Sequence, residues 1–312
     1  MKRGVLLLNM GGPNNLDEVE LFLRNMFADP RILPMAAWLR RIIGARIVKK
    51  RREEARENYR ELGGKSPLTD LTWSLAQKVE ERSGLPVRPA MRYVPPFAST
   101  ALKEFRAEGI EEIVLFPMYP HYSTTTTLSS LDDIRAQCEM MDYRPKLRIV
   151  DPYYDDYDYL KIQAALVAEA MEGAESRDYD LILSAHGLPM SIIHSGDPYE
   201  KHVEANVSAL KIVLRESGII FKNIKLAYQS KVGNAAWLEP NLADLLRCPE
   251  NLKVLIFPLA FTVDNSETVF ELEREHRMIA EKIGYTDYRV ARCPNDREEF
   301  ADYIGAKIAA LD

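Results

Sequence analysis

Val5-Leu6-Leu7-Leu8-Asn9-Met10-Gly11-Gly12-Pro13 is an apolar run that stops in two glycines and a proline. Four apolar residues without polar alternation suit a strand buried on both faces. Lys2 and Arg3 ahead of it imitate a signal peptide, yet the run is too short for the apolar core of one and passes straight into Asn9 and the glycines. Working outward, similar runs recur at 87–91, 113–116, 147–150, 181–183, 224–227 and 254–257. The stretches between them are long enough for the crossover helices that parallel strands require. The expected fold is α/β, doubly wound on parallel sheet, with ligands taken beyond the carboxyl ends of the strands.

The residues at those ends repeat. Met10-Gly11-Gly12-Pro13 is echoed 176 residues later by His186-Gly187-Leu188-Pro189, and the segment from Ile113, IVLFPMYPHYSTTTT, is echoed 141 residues later by VLIFPLAFTVDNSET from Val254. Two echoes in the same order imply two Rossmann-like halves related by an internal repeat. A length of 312 residues fits about two domains of roughly 150 residues. The acidic, turn-rich run 151–157 marks the seam, giving domains at 1–150 and 151–312, with the last helix packing back on the first. The shorter second spacing places an insertion in the first half, at about 27–66.

Composition narrows the class. The apolar fraction is 46%, the charged fraction 28% and the formal net charge −6. An acidic total argues against a general nucleic-acid binder. Cys138, Cys248 and Cys293 are odd in number and widely spaced, without zinc, haem-attachment or redox-motif spacing, which points to the cytoplasm. No stretch approaches the roughly 18 apolar residues of a membrane span. Within the insertion, however, residues 31–52 hold eight basic residues and no acidic one, interleaved with apolar Ile32, Leu33, Met35, Trp38, Leu39, Ile42, Ile43, Ile47 and Val48. A basic amphipathic stretch with tryptophan suits a membrane interface. It equally suits a helix packed on its own core with a solvated basic face.

Two constellations can carry chemistry. His186 is expected one turn past a strand, between Ala185 and Gly187, where an imidazole is accessible as a proton acceptor or metal ligand. A lone histidine is more often structural. His194, His202 and His276 lie in segments that read as exposed helix or loop, and His121 in a loop beside Tyr119 and Tyr122. The second constellation follows 254–257, where Asp264 or Ser266 is placed to cap a helix bearing Glu267, Glu271 and Glu275. At i, i+4 and i+8 these put a carboxylate about every 6 Å along one helix face. Such a row can pass a divalent cation or protons; it can also be a solvated face. No Walker loop, G-x-G-x-x-G or G-x-S-x-G is present.

The segment LILSAHGLPMSIIHSGDPY from Leu181 closely resembles the signature of the ferrochelatase family, chelatases that insert ferrous iron into a porphyrin to make haem. In the same order the chain carries LLLNMGGP at Leu6, LFLRNMFADPRIL at Leu21, NYRELGGKSPL at Asn58, MRYVPP at Met91, AYQSKVGNAAWLEP at Ala227 and FPLAFTVDNSETVFELE at Phe257. The resemblance implies two Rossmann-like domains with the porphyrin in a cleft between them. It implies that His186 and Glu267 face each other across the macrocycle as the catalytic pair, and that Glu271 and Glu275 continue an acidic path for the metal. It further implies that Met10, Arg92, Tyr93 and Trp237 line the porphyrin pocket, that Asn265 is a further substrate-binding position, and that Arg51, Tyr59 and Ser66 meet the propionates. The insertion corresponds to an apolar lip that touches the membrane, so a peripheral contact through 31–52 is expected.

The residue types suit that reaction: two pyrrole protons must leave before iron can sit among four nitrogens. His186 is expected to accept them, with Glu267 and Glu271 as the opposite, acidic port. Fe²⁺ is a substrate and no permanent cofactor is expected. Cys293 stands alone and no cysteine-rich segment follows the last helix, so no iron–sulfur cluster is expected. Asn265 and Pro95 stand where the family commonly has histidines, and Asn cannot take a proton at neutral pH. Protoporphyrin IX is the expected substrate; coproporphyrin or cobalt chelation, or a non-catalytic porphyrin carrier, are the competing readings. The sequence leaves oligomeric state open.

Overall fold

The computed structural model describes residues 2–231, 233 and 235–311. In chain order the elements are β1 (Arg3–Asn9), α1 (Glu18–Ala28), α2 (Ala37–Glu61), α3 (Leu68–Ser83), β2 (Val87–Met91), α4 (Ala98–Ala107), β3 (Glu112–Pro117), α5 (Ser129–Met140), β4 (Lys146–Ile149), α6 (Tyr157–Ala170), β5 (Asp180–His186), α7 (Met190–His194), α8 (Tyr199–Glu216), β6 (Asn223–Gln229), α9 (Leu242–Arg247), β7 (Lys253–Pro258), α10 (Arg277–Ile283), β8 (Asp287–Val290) and α11 (Glu298–Ala309). Two π-helices, Thr124–Leu128 and Glu267–His276, precede α5 and α10. Contacts divide the chain into one unit of Met1–Tyr119, Ser123–Asp151 and Asp296–Asp312, and another of Pro120–Tyr122 and Pro152–Asn295.

Each unit holds a four-stranded, fully parallel sheet, ordered β2-β1-β3-β4 in the first and β6-β5-β7-β8 in the second. The registers reproduce the sequence echoes. Leu8 lies opposite Pro117 and Ser184 opposite Pro258, which are the same two offsets. A π-helix follows the third strand of each unit. The fold is therefore a repeated doubly wound α/β unit, as the apolar runs imply.

Period-two alternation sorts the strand residues onto two covered faces. In the first unit Leu6, Leu8, Ile113 and Leu115 pack with Leu102 and Phe105 of α4 and Leu131 and Ile134 of α5. In the second, Leu181, Leu183, Leu255 and Phe257 pack under α6 and α8, while Ile182, Ala227, Val254 and Ile256 meet Leu242 and Leu246 of α9 and Ala280 of α10. The eighth strand, β8, is Asp-Tyr-Arg-Val at a sheet edge, and its charges hide it from an apolar-run reading.

The insertion forms α2, which packs on α1 through Val48 and Tyr59 against Val19, Leu23 and Phe27. Trp38 and Ile42 escape that core, at 68% and 46% exposure. Among the described residues, no helix is long and apolar enough to cross a membrane. The last helix, α11, lies against α3: Arg82 of α3 pairs with Glu298 and Asp302, and Lys78 reaches Glu298 at 2.9 Å. The apolar side of α11 buries Phe300, Ile304 and Ile308. Truncating Phe300 to alanine should lower stability by about 3–5 kcal/mol through lost burial and an unfilled cavity, read as a fall in the urea midpoint without a change in slope.

Candidate active site

His186 is the last residue of β5 rather than a residue one turn beyond it. On the alternating strand it shares a face with Ser184, and in the sheet it pairs with Gln229 of β6. The approach to Glu267 is fixed by polar side chains. Asn265 Oδ1 accepts from the Glu267 backbone N–H at 2.8 Å. Asp264, expected to cap, instead accepts from Thr268 Oγ1 (2.9 Å) and Asn295 Nδ2 (2.8 Å), and Ser266 makes no side-chain cap bond. Asn265 therefore does the capping. It starts the helix so that His186 Nδ1 donates to Glu267 Oε2 at 2.9 Å, each side chain about a third exposed. The two residues are in direct contact, whereas the family resemblance set them on either side of a macrocycle.

Burial alone would depress the His186 imidazole, but the Glu267 charge, the hydrogen bond to it and the more distant Glu271 charge together outweigh that penalty and raise it above the ordinary histidine value. The ring's partial exposure limits the desolvation cost. His121 shows the opposite outcome. It is buried, bonded through Nε2 to Asn206 Oδ1 at 3.1 Å and without a carboxylate partner, and burial pushes it down to about 3. It stays neutral and structural. His276, read as exposed, is buried, and its Nδ1 donates to the Glu271 carbonyl at 2.8 Å.

The glutamate row is broken up. Glu271 accepts from Ser230 N–H (2.8 Å), Ser230 Oγ (2.5 Å) and Gln229 Nε2 (3.2 Å), with Ser230 held at φ +65°. Glu275 is exposed. The spacing was read on an α-helix, but Glu267–His276 is wound with i→i+5 bonding. Among the described residues no three His, Cys, Asp or Glu side chains converge as a metal-holding group. Arg277 does pair with Glu273, at 2.6 Å.

Trp237 sits against Gly187 because its backbone bridges to Pro189, and Leu238 N–H donates to Leu188 O at 3.0 Å. Gly187 permits this packing: an added Cβ would lie 2.9 Å from Gln229 O and 3.4 Å from the Trp237 ring. The Trp237 Nε1 is buried without a hydrogen-bond partner among the described residues.

In the first unit Met10, Arg92 and Tyr93 stand just past the carboxyl ends of β1 and β2. Met10 follows β1, and its carbonyl accepts from Tyr93 N–H at 3.0 Å. Ser66 N–H donates to Pro13 O at 2.8 Å, and its hydroxyl is so close to Gly12 that a Cβ there would meet it at 2.6 Å, with Tyr59 OH 4.0 Å away. Arg51 lies on α2, half-buried and two turns ahead of Tyr59. Arg92 Nη2 pairs with buried Asp29 at 3.1 Å, and its Nε donates to Ser129 Oγ at 3.0 Å. Tyr93, expected to line a pocket, has no exposed surface and donates its hydroxyl to Asp29 at 2.9 Å. Asp29, Gln229, Ser230 and Tyr199 lie inside the quoted motifs but are not singled out by them, and the Tyr199 hydroxyl donates to His186 O at 3.0 Å. Gln229 and Ser230 had a usable signal, since they follow the apolar run 224–227.

Comparison with known proteins shows the family of the chain. The family model described as Ferrochelatase matches residues 2–310. The chain belongs to the ferrochelatase family. It is 49% identical to a ferrochelatase of Wolinella succinogenes over 97% of both chains, and 44% identical to one of Helicobacter pylori strain J99 over 97% of this chain and 91% of that one. The fold is shared with SirB from Bacillus subtilis, solved with Fe³⁺, at a TM-score of 0.59 and 11% identity over 99% of this chain and 95% of that one. The terminal siroheme-biosynthesis enzyme CbiX matches at a TM-score of 0.54 and 18% identity, over 77% of this chain and 90% of its own.

Because Glu267 raises His186, the pair adds stability while the imidazole is charged and loses it as pH rises through the folded value. Replacing Glu267 with Gln should move the His186 titration midpoint, followed by ¹⁵N NMR, to lower pH. The stability lost in the variant should be largest in mildly acid solution and shrink in alkaline solution.

Proposed function

We propose that this ferrochelatase-family chain inserts Fe²⁺ into protoporphyrin IX to form haem, with His186 as the acceptor of the two pyrrole protons in turn. The observation that carries this reading is the His186–Glu267 hydrogen bond at the end of β5. With Nδ1–H committed to Glu267, the neutral imidazole leaves Nε2 as its acceptor. A pyrrole proton taken at Nε2 makes an imidazolium that Glu267 stabilises, and passing that proton to water resets the ring for the second. Chelation then trades two N–H bonds for iron–nitrogen bonds, and no electrons move. The iron is substrate, and the imidazole and carboxylates supply the acid–base chemistry, so we read the reaction as needing no resident cofactor.

Met10, Arg92 and Trp237 are proposed to line the porphyrin pocket, and Arg51, Tyr59 and Ser66 to take the propionates. Tyr93 and Asn265 act behind them, through Asp29 and through the start of the π-helix. Glu271 and Glu275 remain candidates for metal approach, Glu275 because it is exposed. We propose that the protein is cytoplasmic with α2 against a membrane surface, supported by exposed Trp38 and Ile42 within a stretch of eight basic residues and no acidic one.

Anaerobic mixing with protoporphyrin IX and Fe²⁺ should quench porphyrin fluorescence over many turnovers, and more efficiently than with coproporphyrin III. His186→Ala should lower kcat by about 10²–10⁴-fold; near-normal turnover would remove His186 from the mechanism. Sedimentation with anionic vesicles should carry the protein down at low salt and release it at high salt. The double variant Trp38→Ser, Ile42→Ser should bind about tenfold more weakly.

A further inference from the structure

Gln229 is almost wholly buried, at 1% exposure, and every polar atom of its amide faces a partner near the histidine. Its Nε2 lies 3.1 Å from the Glu267 carbonyl and 3.2 Å from Glu271 Oε2. Both are acceptors only, so the amide must present its NH₂ there, one N–H to each. Its Oε1 then faces Ser184, whose hydroxyl donates to it at 2.7 Å. Its backbone carbonyl accepts from Gly187 N–H at 2.9 Å, and the residue pairs with His186 across the sheet. One side chain thus joins the strand that carries the histidine to the helix that carries both glutamates.

The other unit repeats this arrangement with different chemistry. Leu8 pairs with Ala90 and Ser184 with Ala227, so Arg92 occupies in the first unit the place Gln229 has in the second. Arg92 also reaches from the end of its strand to the helix after the third strand, at Ser129 Oγ. A cross-tie at this position belongs to the repeated fold, and in the second unit it lands on the residues of the catalytic pair.

We propose that Gln229 is a positioning residue that sets where the π-helix begins relative to β5, so that Glu267 meets His186 Nδ1 and Glu271 is held alongside. The proposal rests on the reading of His186 and Glu267 as the reacting pair. An arginine there would put a cation on Glu271, and an apolar residue would leave the Glu267 carbonyl, a Glu271 oxygen and the Ser184 hydroxyl without their partner.

Gln229→Met keeps length and volume but removes both donors and the acceptor. In ¹⁵N-histidine-labelled protein without porphyrin or iron, the downfield Nδ1–H resonance of His186, bonded to Glu267, should be present in the parent and lost or exchange-broadened in Gln229→Met. With substrates, kcat should fall at least about tenfold while KM for porphyrin stays within about twofold, the pattern of lost transition-state alignment without lost binding. Ser184→Ala, which removes only the hydroxyl that orients the amide, should weaken the same resonance and lower kcat by a smaller factor, and it decides the matter if Gln229→Met does not fold. An unchanged His186 resonance in a folded Gln229→Met protein, or in Ser184→Ala where that variant decides, would overturn the assignment. If the resonance is lost as expected but the parent protein turns nothing over, the positioning role stands and the catalytic reading of the pair falls.

Discussion

A parallel sheet in which the first strand lies inside, between the second and third, forces the chain to leave that strand toward one neighbour and return beside the other. The crossovers diverge at its carboxyl end, and whatever residue ends the inner strand stands at the opening. In the second unit that residue is His186, on a strand paired on both sides and itself paired with Gln229 of β6. A slip of one residue would turn His186 and Ser184 to the opposite face and carry Ala185 into their place. The apolar partners of Leu181, Leu183 and Ala185 under α6 and α8 forbid that slip. The register of a buried strand thus fixes the position of the His186 imidazole before any polar contact is made.

How legible each part is follows from what kind of interaction sets it. The inner strands can be read because burial on both faces leaves a run of apolar residues; the edge strand β4, with none of its residues buried, shows only Leu147 and Ile149, and the edge strand β8 is hidden by Asp287 and Arg289. The winding of Glu267–His276 leaves no trace in spacing. What accompanies it comes from residues elsewhere or further along: Tyr288 OH donates to Leu272 O at 2.9 Å, His276 Nδ1 to Glu271 O, and Arg277 Nε to Glu273 O at 3.1 Å. Donors of that sort satisfy carbonyls in a helix type that seldom persists. Asp29 is similarly unreadable: only after folding do Arg92, Tyr93 and Ser129 surround its carboxylate. The histidine and the glutamate were found by motif, but their direct contact was not.

The insertion shows the limits of amphipathic reading in another way. The packed-helix reading holds for part of the 31–52 stretch, and other apolar residues of the same segment stay exposed. Val48, helped by the close approach of Gly44 to the Phe27 carbonyl, faces α1, while Trp38 and Ile42 face outward. A hydrophobic face wider than one neighbour can cover leaves some of itself over, and the leftover part lies among the basic residues.

The matched registers of the two sheets have an evolutionary corollary. Copies of a duplicated unit begin with the same residues, so their present differences record what each was released from. Met10 now stands at the place of His186 and Thr126 at that of Glu267, by the offsets of the strands that carry them. Neither can give or take a proton near neutrality, and an imidazole paired with a carboxylate can. Acid–base capacity has been lost from, or was never acquired by, one descendant, while the shared backbone that displays those positions was retained in both. Mutational tolerance at positions 10 and 126 should therefore follow shape, and at 186 and 267 it should follow ionisation.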